Sequence, residues 1–214
     1  MNVVRIPNGA FAENCYLVVA PEAGECAIVD PGEEADRILR IVEQSGTKPV
    51  GIWCTHAHLD HVLGAAAVRA ATGAPLYLHA ADRPLYDHVP EQAVAFGLPA
   101  PPERLPAPDR SWVHGDVVRV GATEFQVRHA PGHSPGHVAL VGPGVVFCGD
   151  LLFQGSIGRS DLPGGDTATL MRSIERELLS LPDATIVYSG HGPETTIGAE
   201  RRGNPFLTGA ARLL

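Results

Sequence analysis

The chain has 214 residues, 44% of them hydrophobic, which is enough to bury one substantial core and predicts a single domain over residues 1–214. Its formal net charge is −8, and the longest basic run is the pair Arg201-Arg202. Binding to a phosphate backbone normally needs a clustered basic face, so we predict no nucleic-acid partner.

The chain shows no sign of membrane insertion or secretion. Residues 1–7 lack the apolar region of a signal peptide, and no apolar run approaches the length needed to span a bilayer. The four cysteines show no C-x-x-C spacing and fit buried, reduced thiols. We therefore expect a cytoplasmic protein with no membrane partner.

Short apolar runs predict a series of strands separated by a few helices. The predicted strands are residues 3–6, 16–19, 27–29, 50–54, 76–79, 117–120, 125–129, 138–141, 145–148 and 186–188. The predicted helices are residues 35–42, 62–68 and 170–181, the last behind an Asp166 cap. Many strands without strict βαβ alternation indicate an α+β class, specifically a four-layer αβ/βα sandwich with a site at the edge between two sheets.

Taken in chain order, the first polar residue of interest is Asp30. It follows the predicted strand 27–29 and precedes Pro31-Gly32, a sequence typical of a tight turn. The main cluster comes next, since His56, His58, Asp60 and His61 follow the strand 50–54.

His56 and His58 are two residues apart, so in an extended segment they point the same way and can bind one ion. Asp60 and His61 lie where the chain begins to coil and leave in another direction. This loop therefore predicts two neighbouring metal sites at the carboxyl end of a strand.

Residues 98–108 are too rich in proline for a helix or a sheet ladder and predict an extended loop. A stiff surface connection and a lid beside the metal site both fit this segment.

Further ligands are expected at His133, Asp150 and His191, each of which follows an apolar run and adjoins glycine. Glycine lets the backbone turn sharply enough to aim a neighbouring side chain into a shared pocket. Imidazole and carboxylate donors without thiolate suit zinc, and also iron or manganese. We expect two divalent ions per chain, with zinc favoured.

The motif His56-x-His58-x-Asp60-His61, followed by His133, Asp150 and His191, resembles the metallo-β-lactamase superfamily. Residues 158–165, 191–196 and 204–206 resemble the small glyoxalase II-like (hydroxyacylglutathione hydrolase-like) members. The resemblance implies a first metal on His56, His58 and His133, a second on Asp60, His61 and His191, and Asp150 as a bridge. It also implies that Asp30 is a buried carboxylate that orients a histidine.

The same resemblance implies hydrolysis of a thioester such as S-lactoylglutathione to a hydroxy acid and a thiol. Two ions about 3.5–4 Å apart can hold a bridging hydroxide at neutral pH, which would attack the acyl carbon. Asp60 is the candidate for orienting this hydroxide and moving its proton. The expected partner is a small-molecule thioester. The sequence does not indicate whether the protein is a monomer or an oligomer.

Only residues 192–214 follow His191, so the C-terminal glutathione-binding domain of the full-length enzymes is expected to be absent. Arg159, in a glycine-rich loop, is the candidate for binding a substrate carboxylate. Arg201-Arg202 could do the same or could form a solvated helix face.

Three alternatives stay open. A mononuclear-iron enzyme resembling persulfide dioxygenases would share the fold, although it need not keep all seven ligands. An esterase or lactonase would differ only in its substrate. A non-catalytic metal-binding module is the third, but closed structural zinc sites usually have four Cys or His ligands and no shared carboxylate.

Overall fold

The computed structural model describes residues 1–99, 101 and 105–211. The strands are β1 Asn2–Asn8, β2 Glu13–Ala20, β3 Glu25–Val29, β4 Lys48–Trp53, β5 Leu76–His79, β6 Arg110–Trp112, β7 Val117–Val120, β8 Thr123–His129, β9 Val138–Gly142, β10 Val145–Gly149, β11 Leu152–Phe153, β12 Ser156–Ile157, β13 Ile186–Ser189 and β14 Thr195–Thr196. The α-helices are α1 Ala35–Ser45, α2 Leu59–Val62, α3 Ala65–Thr72, α4 Arg83–Asp87, α5 Val89–Ala95, α6 Thr167–Ser173 and α7 Ile197–Gly203. Short 3-10 helices at Pro21–Ala23 and Ala80–Asp82 and a π-helical turn at Ile174–Leu178 complete the described elements.

Two six-stranded sheets form the centre of the molecule. The first has the order β1-β2-β3-β4-β5-β6 and is parallel from β3 onward. The second has the order β14-β13-β10-β9-β8-β7, in which β10 and β13 are parallel neighbours. Because parallel neighbours end at the same edge, the segments after β3 and β4, and those after β10 and β13, are brought side by side.

Three apolar clusters separate the layers. One packs helices α1, α3 and α5 on the outer face of the first sheet. A second fills the space between the sheets, where the rings of Trp53 and Phe125 lie 5.5 Å apart. A third packs Leu170 of α6 and Ile197 of α7 on the second sheet. This arrangement of helix, sheet, sheet and helix layers confirms the predicted α+β four-layer sandwich.

The helix predicted at residues 62–68 is wrong in its bounds. Helical structure begins three residues earlier, at Leu59, and is interrupted between α2 and α3. At the interruption the amide of Gly64 donates a hydrogen bond to the carbonyl of Pro31 at 3.0 Å. A side chain at position 64 would collide with the Gly32 carbonyl, so this close backbone contact requires glycine.

The helix predicted at 170–181 also differs, since α6 ends at Ser173 and the chain continues as the π-helical turn. The Asp166 cap is confirmed, because its carboxylate accepts a hydrogen bond from the Thr169 amide at 2.7 Å. The short strands β6, β11, β12 and β14 were not predicted.

The proline-rich segment 98–108 includes residues 100 and 102–104, which lie outside the described residues. On either side of them, Leu98 and Leu105 pack against the first apolar cluster. The lid role of this segment stays a prediction. The four cysteines are buried and unpaired, and none of the described helices has the length and apolarity that a bilayer crossing requires.

Candidate metal centre

The first group of predicted ligands consists of three buried imidazoles. His56 and His58 follow β4, and His133 lies in the loop between β8 and β9. The Nε2 atom of His133 lies 2.8 Å from His58 Nδ1 and 3.2 Å from His56 Nε2. The three side chains therefore point their nitrogens into one small space that can hold an ion.

The second group combines two imidazoles and a carboxylate. Asp60 and His61 lie in α2, and His191 follows β13. Asp60 Oδ2 is 3.2 Å from His191 Nε2 and 3.7 Å from His61 Nε2. The ligand atoms of these three residues all lie within 4.8 Å of one another, which is close enough to hold one ion.

Asp150 lies between the two groups at the end of β10. Its Oδ2 is 3.5 Å from His133 Nε2 of the first group and 3.5 Å from His191 Nε2 of the second. Its Oδ1 is 3.4 Å from His61 Nε2. The carboxylate is thus within reach of both groups, in the position that a shared ligand needs.

The imidazoles of the first group are held neutral. Burial lowers the pKa of His58 to about 3 and that of His133 to about 4, and it lowers the pKa of His56 well below its ordinary range. Neighbouring histidines strengthen this effect. Neutral imidazoles keep the free lone pairs that metal ligation requires.

In the second group, the surrounding carboxylates favour a positively charged His61. Burial opposes protonation of His61, but Asp60, Asp150 and Asp30 together raise its pKa well above the ordinary value. Burial opposes ionisation of Asp60 and by itself would raise its pKa, but the nearby His61 and His191 lower that pKa. Three carboxylates around one buried imidazole form a strongly negative environment that a divalent cation would neutralise.

The buried polar atoms fit a metal ion. His61 Nε2 and Asp150 Oδ1 are buried, face each other at 3.4 Å, and make no hydrogen bond. Leaving such atoms unpaired is costly, and a cation between them would satisfy both. The nitrogen and oxygen donors, without thiolate, suit zinc, iron or manganese.

Asp30 is buried and lies beside His61, in a position that fits the histidine-orienting role implied by the resemblance. Its Oδ2 atom is 3.1 Å from His61 Nδ1, and both its oxygens accept hydrogen bonds from Thr55, at 2.6 Å from the amide and 2.7 Å from the hydroxyl. Asp30 has a φ of +49°, in the left-handed region, which turns the chain sharply after β3. A carboxylate on one imidazole nitrogen fixes the ring so that the other nitrogen faces the metal position.

Arg159 contacts the centre through its backbone rather than its side chain. Its carbonyl accepts a hydrogen bond from His133 Nδ1 at 2.7 Å, which orients that ring. Its exposed guanidinium makes a bidentate ion pair with Asp161, with Nε and Nη2 at 2.7 and 2.8 Å from the carboxylate oxygens. Arg201 and Arg202 lie on α7, where both pair with Asp183.

Asp82 is a further buried carboxylate beside the ligand loops, and the sequence did not predict it. It is fully buried, and its carboxylate accepts hydrogen bonds from the Ala57 amide at 3.0 Å, the Ser134 hydroxyl at 2.7 Å and the Gly136 amide. It therefore joins the loop of His56 and His58 to the loop of His133. No motif marks Asp82 in the sequence, because these partners lie 25 to 54 residues away.

A cavity of about 180 Å³ opens onto both groups of ligands. It exposes parts of the predicted ligands and of residues from three other segments. The lining residues are Phe11, His58, Leu59, Asp60, Gln92, Phe96, His133, Asp150, Arg159, Leu162 and His191.

Comparisons with known proteins find relatives that cover nearly the whole chain. Residues 8–191 match the family described as the Metallo-beta-lactamase superfamily. "Hydroxyacylglutathione hydrolase GloC" of Haemophilus influenzae is 42% identical over 97% of this chain and 98% of its own length. The solved structure titled "BLEG-1 B3 metallo-beta-lactamase" has a TM-score of 0.90 at 39% identity and covers 97% of this chain and 100% of its own. TTHA1623, solved "in a di-iron-bound form", has a TM-score of 0.87 at 46% identity, with coverages of 95% and 100%.

Replacing His191 tests the assignment of the second group. We expect zinc-loaded His191→Ala protein to retain about one ion per chain after dialysis where the parent retains about two, because the first group is intact. Mass spectrometry of the metal content measures this. His88→Ala, at an exposed histidine outside both groups, is the control. Two retained ions in His191→Ala would contradict the assignment.

Replacing Asp82 tests whether joining the two ligand loops matters for metal binding. Asn has one acceptor oxygen, so Asp82→Asn cannot satisfy three donors, and we expect metal affinity to fall about 10- to 100-fold. Competition with a chelator measures the affinity, and circular dichroism verifies the fold. Asp87→Asn, at an exposed position on α4, is the matched control. Equal affinities in the two variants would show that Asp82 does not support the ligands.

Proposed function

The chain belongs to the metallo-β-lactamase superfamily and is a metallo-hydrolase of that family, and within it we propose a binuclear thioester hydrolase. The proposed reaction cleaves a thioester such as S-lactoylglutathione to a hydroxy acid and a thiol. The observation that carries the proposal is Asp150, whose carboxylate lies within 3.5 Å of nitrogens from both groups of ligands. The relative named a hydroxyacylglutathione hydrolase supports the choice of substrate.

In this proposal His56, His58 and His133 hold one ion, Asp60, His61 and His191 hold the other, and Asp150 is shared. Two bound ions would supply Lewis acidity, which lowers the pKa of water and polarises the acyl carbonyl. Zinc is favoured by the donor set, while the di-iron form of a relative supports iron as an alternative.

Asp60 is the residue proposed to handle the proton of the attacking water. Its side chain is 14% exposed and lines the cavity, so its carboxylate can accept a hydrogen bond from water there. One of its oxygens lies 3.2 Å from Nε2 of His191, the residue proposed to bind the same ion. As the new C–O bond forms, the proton passes to the Asp60 carboxylate.

The C–S bond then breaks, and its electron pair leaves with sulfur. A thiolate leaves without being protonated, so the reaction needs no additional general acid beside the leaving group. Arg159 stays the candidate for binding a substrate carboxylate, but such a carboxylate would have to displace Asp161 from the guanidinium.

Hydrolysis of S-D-lactoylglutathione by zinc-loaded protein, followed at the thioester absorbance, tests the proposal. Asp60→Asn should reduce kcat about 10²- to 10⁴-fold, because the carboxylate that accepts the proton is lost. Metal content is measured on the same samples, with Asp87→Asn as the control.

A full rate in Asp60→Asn with both ions bound would contradict the role of Asp60. A parent protein with two ions and no thioesterase activity would contradict the thioester assignment and favour the ester or lactone alternative. One iron per chain with oxygen consumption on a persulfide would favour the dioxygenase alternative.

A further inference from the structure

The cavity over the metal centre is small. Its volume is about 180 Å³, whereas sites that enclose a whole drug-sized ligand usually measure about 300–1,000 Å³. A substrate as large as a glutathione conjugate would therefore place only part of itself inside. The residues around the cavity decide which part that is.

One wall of the cavity is apolar and aromatic. The rings of Phe11 and Phe96 meet edge to face, with centroids 5.6 Å apart and planes at 88°. They are 36% and 45% exposed, and Leu59 and Leu162 continue the same lining. An exposed aromatic pair beside a cavity favours a ligand group that covers it, because apolar surface is then removed from water.

Both aromatic residues are held by segments that bond to the metal-ligand loops. The carbonyl of Phe11 accepts a hydrogen bond from His191 Nδ1 at 3.2 Å. The amide of Phe96 donates to the carbonyl of Gln92 at 3.0 Å, and the Gln92 side chain accepts from the Leu59 amide at 3.2 Å. The aromatic wall is thus fixed relative to the reacting centre.

The charges at the cavity do not favour glutathione. Within residues 1–99, 101 and 105–211, Arg159 is the only cation among the lining residues, and its guanidinium is paired with Asp161. Arg5, which reaches the segment after His191, donates to the Gly192 carbonyl instead. Glutathione carries two carboxylates, and recognising them would require free cations.

On the basis of the thioesterase activity proposed above, we propose that the cavity selects thioesters by an apolar acyl group packed against Phe11 and Phe96. The thiol part of the substrate lies outside this contact. When the thiol is glutathione, its carboxylates are not recognised. Apolar acyl thioesters of an uncharged thiol are then substrates as good as glutathione conjugates.

A matrix of four substrates tests the proposal. Zinc-loaded protein is assayed with acetyl and hexanoyl thioesters of glutathione and of N-acetylcysteamine. Each methylene group that is buried should raise kcat/KM about fourfold when it is fully removed from water. We therefore expect kcat/KM to rise at least about tenfold from acetyl to hexanoyl with either thiol. Exchanging the thiol should change kcat/KM less than about threefold. No dependence on the acyl group, or a preference of more than tenfold for glutathione, would overturn the proposal.

An error in the thioesterase assignment itself would give a different pattern of activities. If protein with two bound ions hydrolyses neither these four thioesters nor S-lactoylglutathione, then the thioesterase assignment is wrong. The proposed selectivity for the acyl group is then wrong as well. If S-lactoylglutathione is hydrolysed but the acyl series is flat, only the selectivity is wrong.

Binding of an inert analogue provides a readout independent of turnover. S-hexyl and S-methyl N-acetylcysteamine are thioethers without a scissile carbonyl, and calorimetry measures their binding to the zinc-loaded protein. We expect the hexyl compound to bind at least about tenfold more tightly, and this preference to be lost in Phe11→Ala and Phe96→Ala. Val94→Ala, at a 63% exposed residue of α5 outside the cavity lining, is the control. An unchanged preference in both Phe variants would overturn the proposal.

Discussion

The structure depends on placing several ionisable side chains in one largely buried space. Buried carboxylates and imidazoles cost free energy unless each meets an opposite charge or a hydrogen bond. Asp150 is the clearest case, since it lies among three histidines and one of its oxygens has no hydrogen-bond partner. A cation shared through this carboxylate would compensate the burial, so metal binding and folding stability are coupled at this point.

Strands of both sheets bring the ligand residues together. The parallel strands β3 and β4 end in Asp30 and the loop of His56, and the parallel strands β10 and β13 lead to Asp150 and His191. A backbone bridge between Glu13 and His191 joins the two sheets beside the centre. The ligands therefore lie on segments anchored by strands, and carboxyl ends of neighbouring strands are where binding groups commonly gather.

Local sequence patterns predicted the parts of the site that depend on local geometry. The density of polar residues in His56–His61 and the Asp30-Pro31-Gly32 turn pointed to side chains that the structure brings together. The resemblance to the superfamily is confirmed. The supporting role of Asp82 and the aromatic pair at the cavity could not be predicted, because they arise from contacts between distant segments. The pairing of Arg159 with Asp161 was not predicted, although the two residues are only two positions apart in the sequence.

In the proposed centre, two metal sites share the carboxylate of Asp150. Calorimetric titration of metal-free protein with zinc, compared between the parent and Asp150→Asn, tests it most directly. We expect about two ions per chain in the parent and a loss of affinity at both sites in the variant. A single ion in the parent, or a variant in which one site keeps its full affinity, would contradict it.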